Sequence, residues 1–381
     1  MKLFSGKKIP LASKMLLHKK GRLTLSLLGI AFAVVIMFME IGFFNGLNDS
    51  QANLPPLLNA DILIMHHRRY SMLETSTISR HRLGQAAALS EVAEAIPFYE
   101  GTDTLFNEQE KRIRAISILA FPQDTAAPLL VEGLEKYQEQ LKIRGNVLYD
   151  SLSREIYGDI KPGAEIKLGG ELQNVVGTVK IGPNIKLDGY VIMGESTWIN
   201  HTGNADKINM GLIRLKPGAD IEAVKKKLRD ILPSDTILMT PEEARQREVR
   251  FTIESTPTGA VFGIGVIIGF IIGIIICYQI LFNEITDHLP QYATMKAVGF
   301  SKKFLVSLVI KQSLWLSVLG FVPGLIGGGI LYFIIQYSTK ILMFMTPWRI
   351  LFVFILTILM CLAASFFAMK KVLKADPAEL Y

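Results

Sequence analysis

The 381-residue chain has only two cysteines. Cys277 and Cys361 both fall within long apolar runs, so no disulfide framework holds the soluble part, which must rely on its own hydrophobic core. Residues 1–22 contain seven basic residues and not one acid. No G-x-x-x-x-G-K-[ST] loop is present, and pairs such as Gly6-Lys7 lack its flanking pattern, so ATP hydrolysis by this chain alone is not expected. GESTW at 194–198 starts like a nucleophile elbow but places Trp198 where the second glycine of G-x-S-x-G belongs, which argues against a hydrolase. The histidines, among them His66, His67 and His81, have neither an H-x-x-x-H spacing nor a cysteine partner, so no metal centre is expected. No catalytic constellation or cofactor-binding motif emerges.

What the chain does contain is apolar residues, 50% of the total. They are concentrated in runs long enough to cross ~30 Å of hydrocarbon. The expected organisation is a basic segment 1–22, a first span 23–47, an inserted domain 48–257, a second span 259–282 and a polar loop 283–303. An amphipathic lead-in and third span follow at 304–335, then a short loop 336–349, a fourth span 350–369 and a tail 370–381. The first run is too long for the h-region of a signal peptide, and GFFNGLNDSQ after it has no A-x-A-like cleavage site. It reads as an uncleaved span.

The positive-inside rule keeps the basic segment in the cytoplasm and exports the inserted domain, which holds 25 basic and 29 acidic residues. Four spans return the C-terminus to the cytoplasm, where Lys370, Lys371 and Lys374 agree with it. With a span directly attached, the basic segment faces anionic lipid headgroups in preference to nucleic acid.

In the inserted domain, ADILIMHH, RIRAISILAF, EIKLGG, ELQNVVGTVKIG, GYVIMG and MGLIRLK read as strands bounded by Gly and Pro. RHRLGQAAALSEVAEAI reads as helix, as does PGADIEAVKKKLRDILP, with Ile221, Val224, Leu228 and Ile231 near helical spacing. The fold class is therefore a four-span α-helical membrane protein with a large α+β domain between the first and second spans. Before the second span, Thr240 as N-cap, Pro241 at the first helical position and Glu243 three beyond the cap form a capping box. A polar stalk helix is expected near 240–253, interrupted by ESTP at 254–257.

Within the spans, Glu40 and Gln279 are the polar side chains to explain, and intramembrane charge makes Glu40 a functional candidate. Pro323 with Gly324, Gly327, Gly328 and Gly329 allows a kink and close helix approach in the third span. The polar loop EITDHLPQYATMKAVGFSKK predicts a short helix over 289–298. Pro290 fits its first turn, Asp287 or His288 its N-terminal cap and Gly299 its left-handed C′ position. Tyr292, Met295 and Lys296 cluster on one side. So short a helix needs a partner surface to be stable.

DHLPQYATMKAVGFSKKF followed by KQSLWLSVLGFVPG resembles the cytoplasmic segment of the DevC proteins, permease subunits of ABC exporters in the group of MacB, LolC, LolE and FtsX. GRLTLSLLGIAFAVVIMFMEIGFFNGLNDSQ and NADILIMHHRRYSMLETSTISRHRL are similar to the DevC first span and its exit. GAEIKLGG, NVVGTVKIG, RLKPGADIEAVKKKL and KADPAEL resemble the wider permease group. The resemblance implies an inner-membrane homodimer without enzymatic activity, served by a separate ABC ATPase that binds the ATP. It also implies a membrane-fusion adaptor, a TolC-like outer-membrane duct, glycolipid or other envelope cargo, and mechanotransmission through spans and stalks. The ATPase would dock on a coupling helix drawn from Glu284, Asp287, His288, Tyr292, Met295 and Lys296. FtsX-like control of cell-wall hydrolases and LolC/LolE-like lipoprotein extraction are the alternatives within the group. Where DevC relatives more often carry Glu, Gln291 removes a charge from the docking helix.

Overall fold

A computed structural model describes residues 20–72, 74–107, 111–183, 187–255, 257–339 and 343–374. The segments 1–19 and 375–381, with most of the basic segment and the KADPAEL motif, lie outside the described residues. The chain divides into two compact units, one of them residues 46–259 with 337–342 and the other the remainder.

The helices are α1 (Lys20–Gln51), α2 (His81–Ala87), α3 (Gln138–Leu141), α4 (Glu195–Thr202), α5 (Ile221–Ile231), α6 (Pro241–Ser255), α7 (Pro257–Asp287), α8 (Leu289–Ala297), α9 (Lys302–Thr339) and α10 (Pro347–Lys374). The strands are β1 (Ile62–His66), β2 (Ile78–Ser79), β3 (Val92–Asn107), β4 (Arg112–Phe121), β5 (Asn146–Asp150), β6 (Glu165–Leu168), β7 (Glu171–Val179), β8 (Tyr190–Gly194), β9 (Lys207–Ile208), β10 (Met210–Leu215) and β11 (Thr236–Met239).

In the inserted domain, nine strands form one sheet in the order β11-β1-β10-β3-β4-β8-β5-β7-β6. Alternation along each strand sends side chains to two cores. On β1, Ile62 and Ile64 join Tyr99, Ile118, Val191 and the helical residues Val224 and Leu228, while Leu63 and Met65 join Phe98, Leu119 and Ile192 on the other face. Both faces are covered, so β1 reads as a continuous apolar run and not as an alternating one.

Strand β3 corrects one expectation. The helix begun at His81 stops at Ala87, and the Ala- and Glu-rich VAEAI opens a 16-residue strand. β3 pairs first with β10 and then, from Tyr99, with β4. The ladder with β10 outweighs the few tenths of a kcal/mol per residue by which Ala and Glu favour helix. Pro97 is tolerated because strand alternation turns its missing N–H away from β10, ahead of the point where β4 begins. Helix α5 forms as expected and buries Val224 and Leu228, but Ile231 is 42% exposed at its last turn. Its N-cap is Asp220, whose side chain accepts from the Glu222 N–H.

Among the described residues, four helical segments are long and apolar enough to span a membrane: Leu23–Ser50, Ala260–Asp287, Lys302–Ser338 and Pro347–Met369. α1 is central among them. Gly320, Gly324 and Gly328 of α9 lie against Ile30, Val34 and Phe38, so α1 sits almost on the α9 backbone. Gly269 of α7 faces Ile36 of α1, and Gly273 of α7 lies against Met360 of α10 with Ala33 of α1 in ordinary contact. Pro323 lies inside α9, one residue before the glycine that seats Val34. The Tyr332 hydroxyl donates to the Phe38 carbonyl at 2.6 Å, which fixes α9 against α1. Val261, Ile264, Ile268, Ile271 and Ile275 of α7 are exposed, as a lipid-facing surface requires.

Candidate coupling site

Helix α8 is held at both ends by main-chain chemistry. α7 ends at Asp287, and His288 joins the helices, its N–H bonding the Glu284 carbonyl at 3.2 Å and its own carbonyl accepting from Tyr292 at 3.0 Å. His288 stands at the N-cap of α8 without a side-chain cap bond, and the close succession of the two helices supplies its main-chain bonds. At the other end Gly299 has φ +97°, with its N–H on the Lys296 carbonyl at 3.1 Å and the Phe300 N–H on the Met295 carbonyl at 3.0 Å. This pair of bonds is a Schellman motif, and its C′ residue is the expected Gly299.

The side chains sort into two faces. Tyr292 is 2% exposed, and its hydroxyl donates to Oε1 of Gln312 on α9 at 3.0 Å. Burial pushes its phenol up to about 12, and the Glu284 carboxylate acts in the same direction. His288 is also buried, its Nε2 3.2 Å from Glu284 Oε1 and its Nδ1 2.8 Å from Gln291 Oε1. Met295 and Lys296 are half-buried. Exposed instead are Pro290, Gln291, Thr294 and Val298, the last 74% exposed. The side predicted from Tyr292, Met295 and Lys296 therefore contributes its aromatic anchor to the chain's own interior. The helix is too weakly amphipathic for residue spacing to identify the inner side. Beside this connection Leu25, Ile280, Asn283, Glu284 and Asp287 line a cavity of about 360 Å³ between α1 and α7.

At the stalk, Thr240 N–H bonds Glu243 Oε2 at 2.8 Å and Glu243 N–H bonds Thr240 Oγ1 at 3.2 Å, with Pro241 opening α6. The capping box is fused to an ion pair that sequence could not reveal. Lys225 Nζ of α5 lies 2.8 Å from both Glu243 and Glu222. The expected interruption at ESTP falls on residue 256, which lies outside the described residues; helix is described up to Ser255 and from Pro257.

A second connection on α6 carries no sequence signal. Glu248 is 1% exposed and accepts from Ser71 Oγ and Met72 N–H, both at 2.7 Å. Arg69, also buried, donates to the Met72 carbonyl at 2.8 Å and to the Asn209 carbonyl at 3.3 Å, and pairs with Glu100 of β3. The loop 69–72 thus joins α6 to the sheet through buried, charge-assisted bonds. Burial raises the Glu100 carboxyl above its ordinary range although Arg69 pulls it down, and the Glu248 charge adds to the rise.

Among the intramembrane candidates, Glu40 is half-buried on α1 against Gly265 of α7, where a methyl group would collide with its carboxylate. Gln279 lies on the exposed surface of α7. Among the described residues no group of three His, Cys, Asp or Glu side chains is arranged to hold a metal ion.

The sequence profile of the MacB-like periplasmic core domain matches residues 23–231. The chain belongs to the MacB/FtsX-type ABC permeases. The profile of the FtsX-like permease C-terminal family matches residues 261–377, which covers α8 and the spans around it. No curated protein matches the chain. The periplasmic region of MacB from Actinobacillus actinomycetemcomitans is 14% identical and covers 52% of this chain and 95% of its own, with a TM-score of 0.37. The extracellular domain of YknZ, a noncanonic ABC-type transporter from Gram-positive bacteria, is 11% identical and covers 47% of this chain and 98% of its own, with a TM-score of 0.33. The match to the MacB-like periplasmic core falls on the large α+β domain inserted between the first and second of the four apolar helices among the described residues.

Proposed function

We propose that this permease is the membrane subunit of an ABC-type exporter in which a separate ATPase docks on α8 and drives the periplasmic domain through the spans. One observation carries the reading. α8 is a helix of nine residues, capped at its C-terminus by a Schellman motif and anchored inward by Tyr292, that keeps Gln291, Thr294 and Val298 exposed. A helix this short is not stable alone, so its rigidity comes from Gln312 and the α7 junction, and its exposed face is left for a partner. The match to the MacB-like periplasmic core supports export over signalling.

In this reading both termini are cytoplasmic and two copies pair. A membrane-fusion adaptor and a TolC-like duct complete a tripartite path, and the cargo is a glycolipid or another envelope component. ATP binds the partner ATPase and not this chain. The test is co-purification of the ATPase with Thr294→Arg/Val298→Glu. Loss of the ATPase with an unchanged melting temperature is expected, and retention of it would overturn the docking assignment. Envelope lipids compared between intact and deletion cells separate export from FtsX-like control of cell-wall hydrolases, which leaves lipid composition unchanged.

A further inference from the structure

Strand β3 changes partners along its length, and a pocket opens where it does so. Pairing with β10 ends at Phe98, and on that same edge pairing resumes only at Leu105 with β6. Antiparallel alternation turns the main-chain groups of Glu100 and Thr102 toward this gap. Asn209 Oδ1 takes the Glu100 N–H at 2.9 Å, and the Gly169 N–H takes the Thr104 carbonyl at 2.8 Å. Between them lies a pocket of about 500 Å³, lined by Glu100, Thr102, Trp198, Asn204, Lys207 and Asn209 among others.

Beside the hydroxyls of Thr75, Thr77, Thr102 and Thr202, three of its side chains bring donors. Asn209 is 4% exposed; its Oδ1 is used by Glu100 and its main-chain carbonyl by Arg69, and among the described residues its Nδ2 makes no hydrogen bond. The same holds for the indole N–H of Trp198 and for Nζ of Lys207. The one acidic group in the lining, Glu100, is bonded to Arg69. A buried amide with an unused donor, an indole N–H, a lysine and the main-chain edge of Thr102 in one concave site call for an acceptor that carries negative charge.

We propose that this pocket of the periplasmic domain binds a carboxylate-bearing polar ligand. The carboxylate meets Lys207 at the rim and the Asn209 amide on the floor, while Trp198 closes one wall. A peptide C-terminus and a sugar acid both supply that chemistry. The floor is continuous with the stalk, since Arg69, bound to Asn209 and Glu100, holds the loop whose Ser71 and Met72 are bonded by Glu248 of α6. Occupancy is thereby linked to the helix that leads toward the second span.

The test uses the detergent-solubilised full chain with Trp315→Phe and Trp348→Phe, which leaves Trp198 as the single tryptophan of the three. N-acetyl-trialanine and glucuronate are titrated beside their neutral counterparts, the tripeptide amide and glucose. A saturable change in Trp198 fluorescence is expected with at least one acid, about tenfold weaker with its neutral counterpart and about tenfold weaker in Lys207→Gln. A response to the peptide acid alone, or to glucuronate alone, supports the proposal and identifies the source. Equal binding of acid and neutral forms, undiminished binding in Lys207→Gln, or no saturable response to either acid overturns it. Lys207 is exposed, so its substitution leaves the fold intact.

Discussion

The hydroxyl of Tyr292 donates to Oε1 of Gln312 at 3.0 Å, across twenty residues and a helix boundary. α8 is thereby fastened to α9. Tyr292→Phe removes one buried hydrogen bond and should cost about 1 kcal/mol while the ATPase still co-purifies. Tyr292→Ala opens a cavity and should cost about 3–5 kcal/mol. Thermal melts of both variants beside ATPase pull-down separate anchoring from docking.

Glu248 is the corresponding anchor on the stalk. Glu248→Ala deprives Ser71 Oγ and the Met72 N–H of a buried acceptor, and should destabilise the periplasmic domain by about 2–4 kcal/mol. Glu248→Gln keeps an acceptor oxygen and should recover part of the loss. Protease protection of the domain as temperature rises gives the comparison directly.

Glu100 predicts a pH dependence of definite sign. Its folded carboxyl is raised above the ordinary 4.5 by burial, so the native chain holds a proton that the unfolded chain has released. The native state then binds more protons, and this group's contribution to stability falls as pH rises from the unfolded value through the raised folded one. Glu100→Gln cannot titrate. The melting temperature of wild type relative to Glu100→Gln should therefore decline as pH is raised from about 4.5 toward neutrality. A difference that is flat or rises with pH would contradict the assignment. Asp150, also raised by burial, is common to both chains and cancels from the difference.

The glycines of α9 are not equivalent. A methyl group on Gly324 would sit 2.6 Å from Val34 Cβ and 3.1 Å from the Ala31 carbonyl oxygen, whereas one on Gly329 meets nothing within 4 Å. Gly324→Ala should lower stability in detergent by about 1–3 kcal/mol. Gly329→Ala should raise it by about 0.5–1 kcal/mol through helix propensity. Thermal inactivation of the two variants side by side would reveal an error in the helix register.

Much of this architecture is carried by local pattern. Hydropathy alone marks the apolar spans, because hydrocarbon admits no unsatisfied backbone and the runs must be long. The capping box at Thr240 and Glu243 and the left-handed Gly299 were legible because each is chemistry confined to one helical turn. VAEAI misleads for the complementary reason: its helix propensity is local, whereas the β10 ladder that makes it a strand comes from a distant segment.

What tertiary structure decided is which side of each element faces inward. Tyr292 was legible as a distinctive residue of α8, but its direction depends on Gln312, which spacing within α8 does not encode. Arg69, Glu100, Asn209 and Glu248 are ordinary polar residues in sequence and become one buried network only when β3, the loop 69–72 and α6 meet. Sequence by itself determined the spans, the inserted domain, the capping box of α6 and the short helix between two spans, since each rests on composition or bonds within a turn. Folding alone decided the inner side of α8 and the gap beside β3, because both are set by groups far apart in the chain.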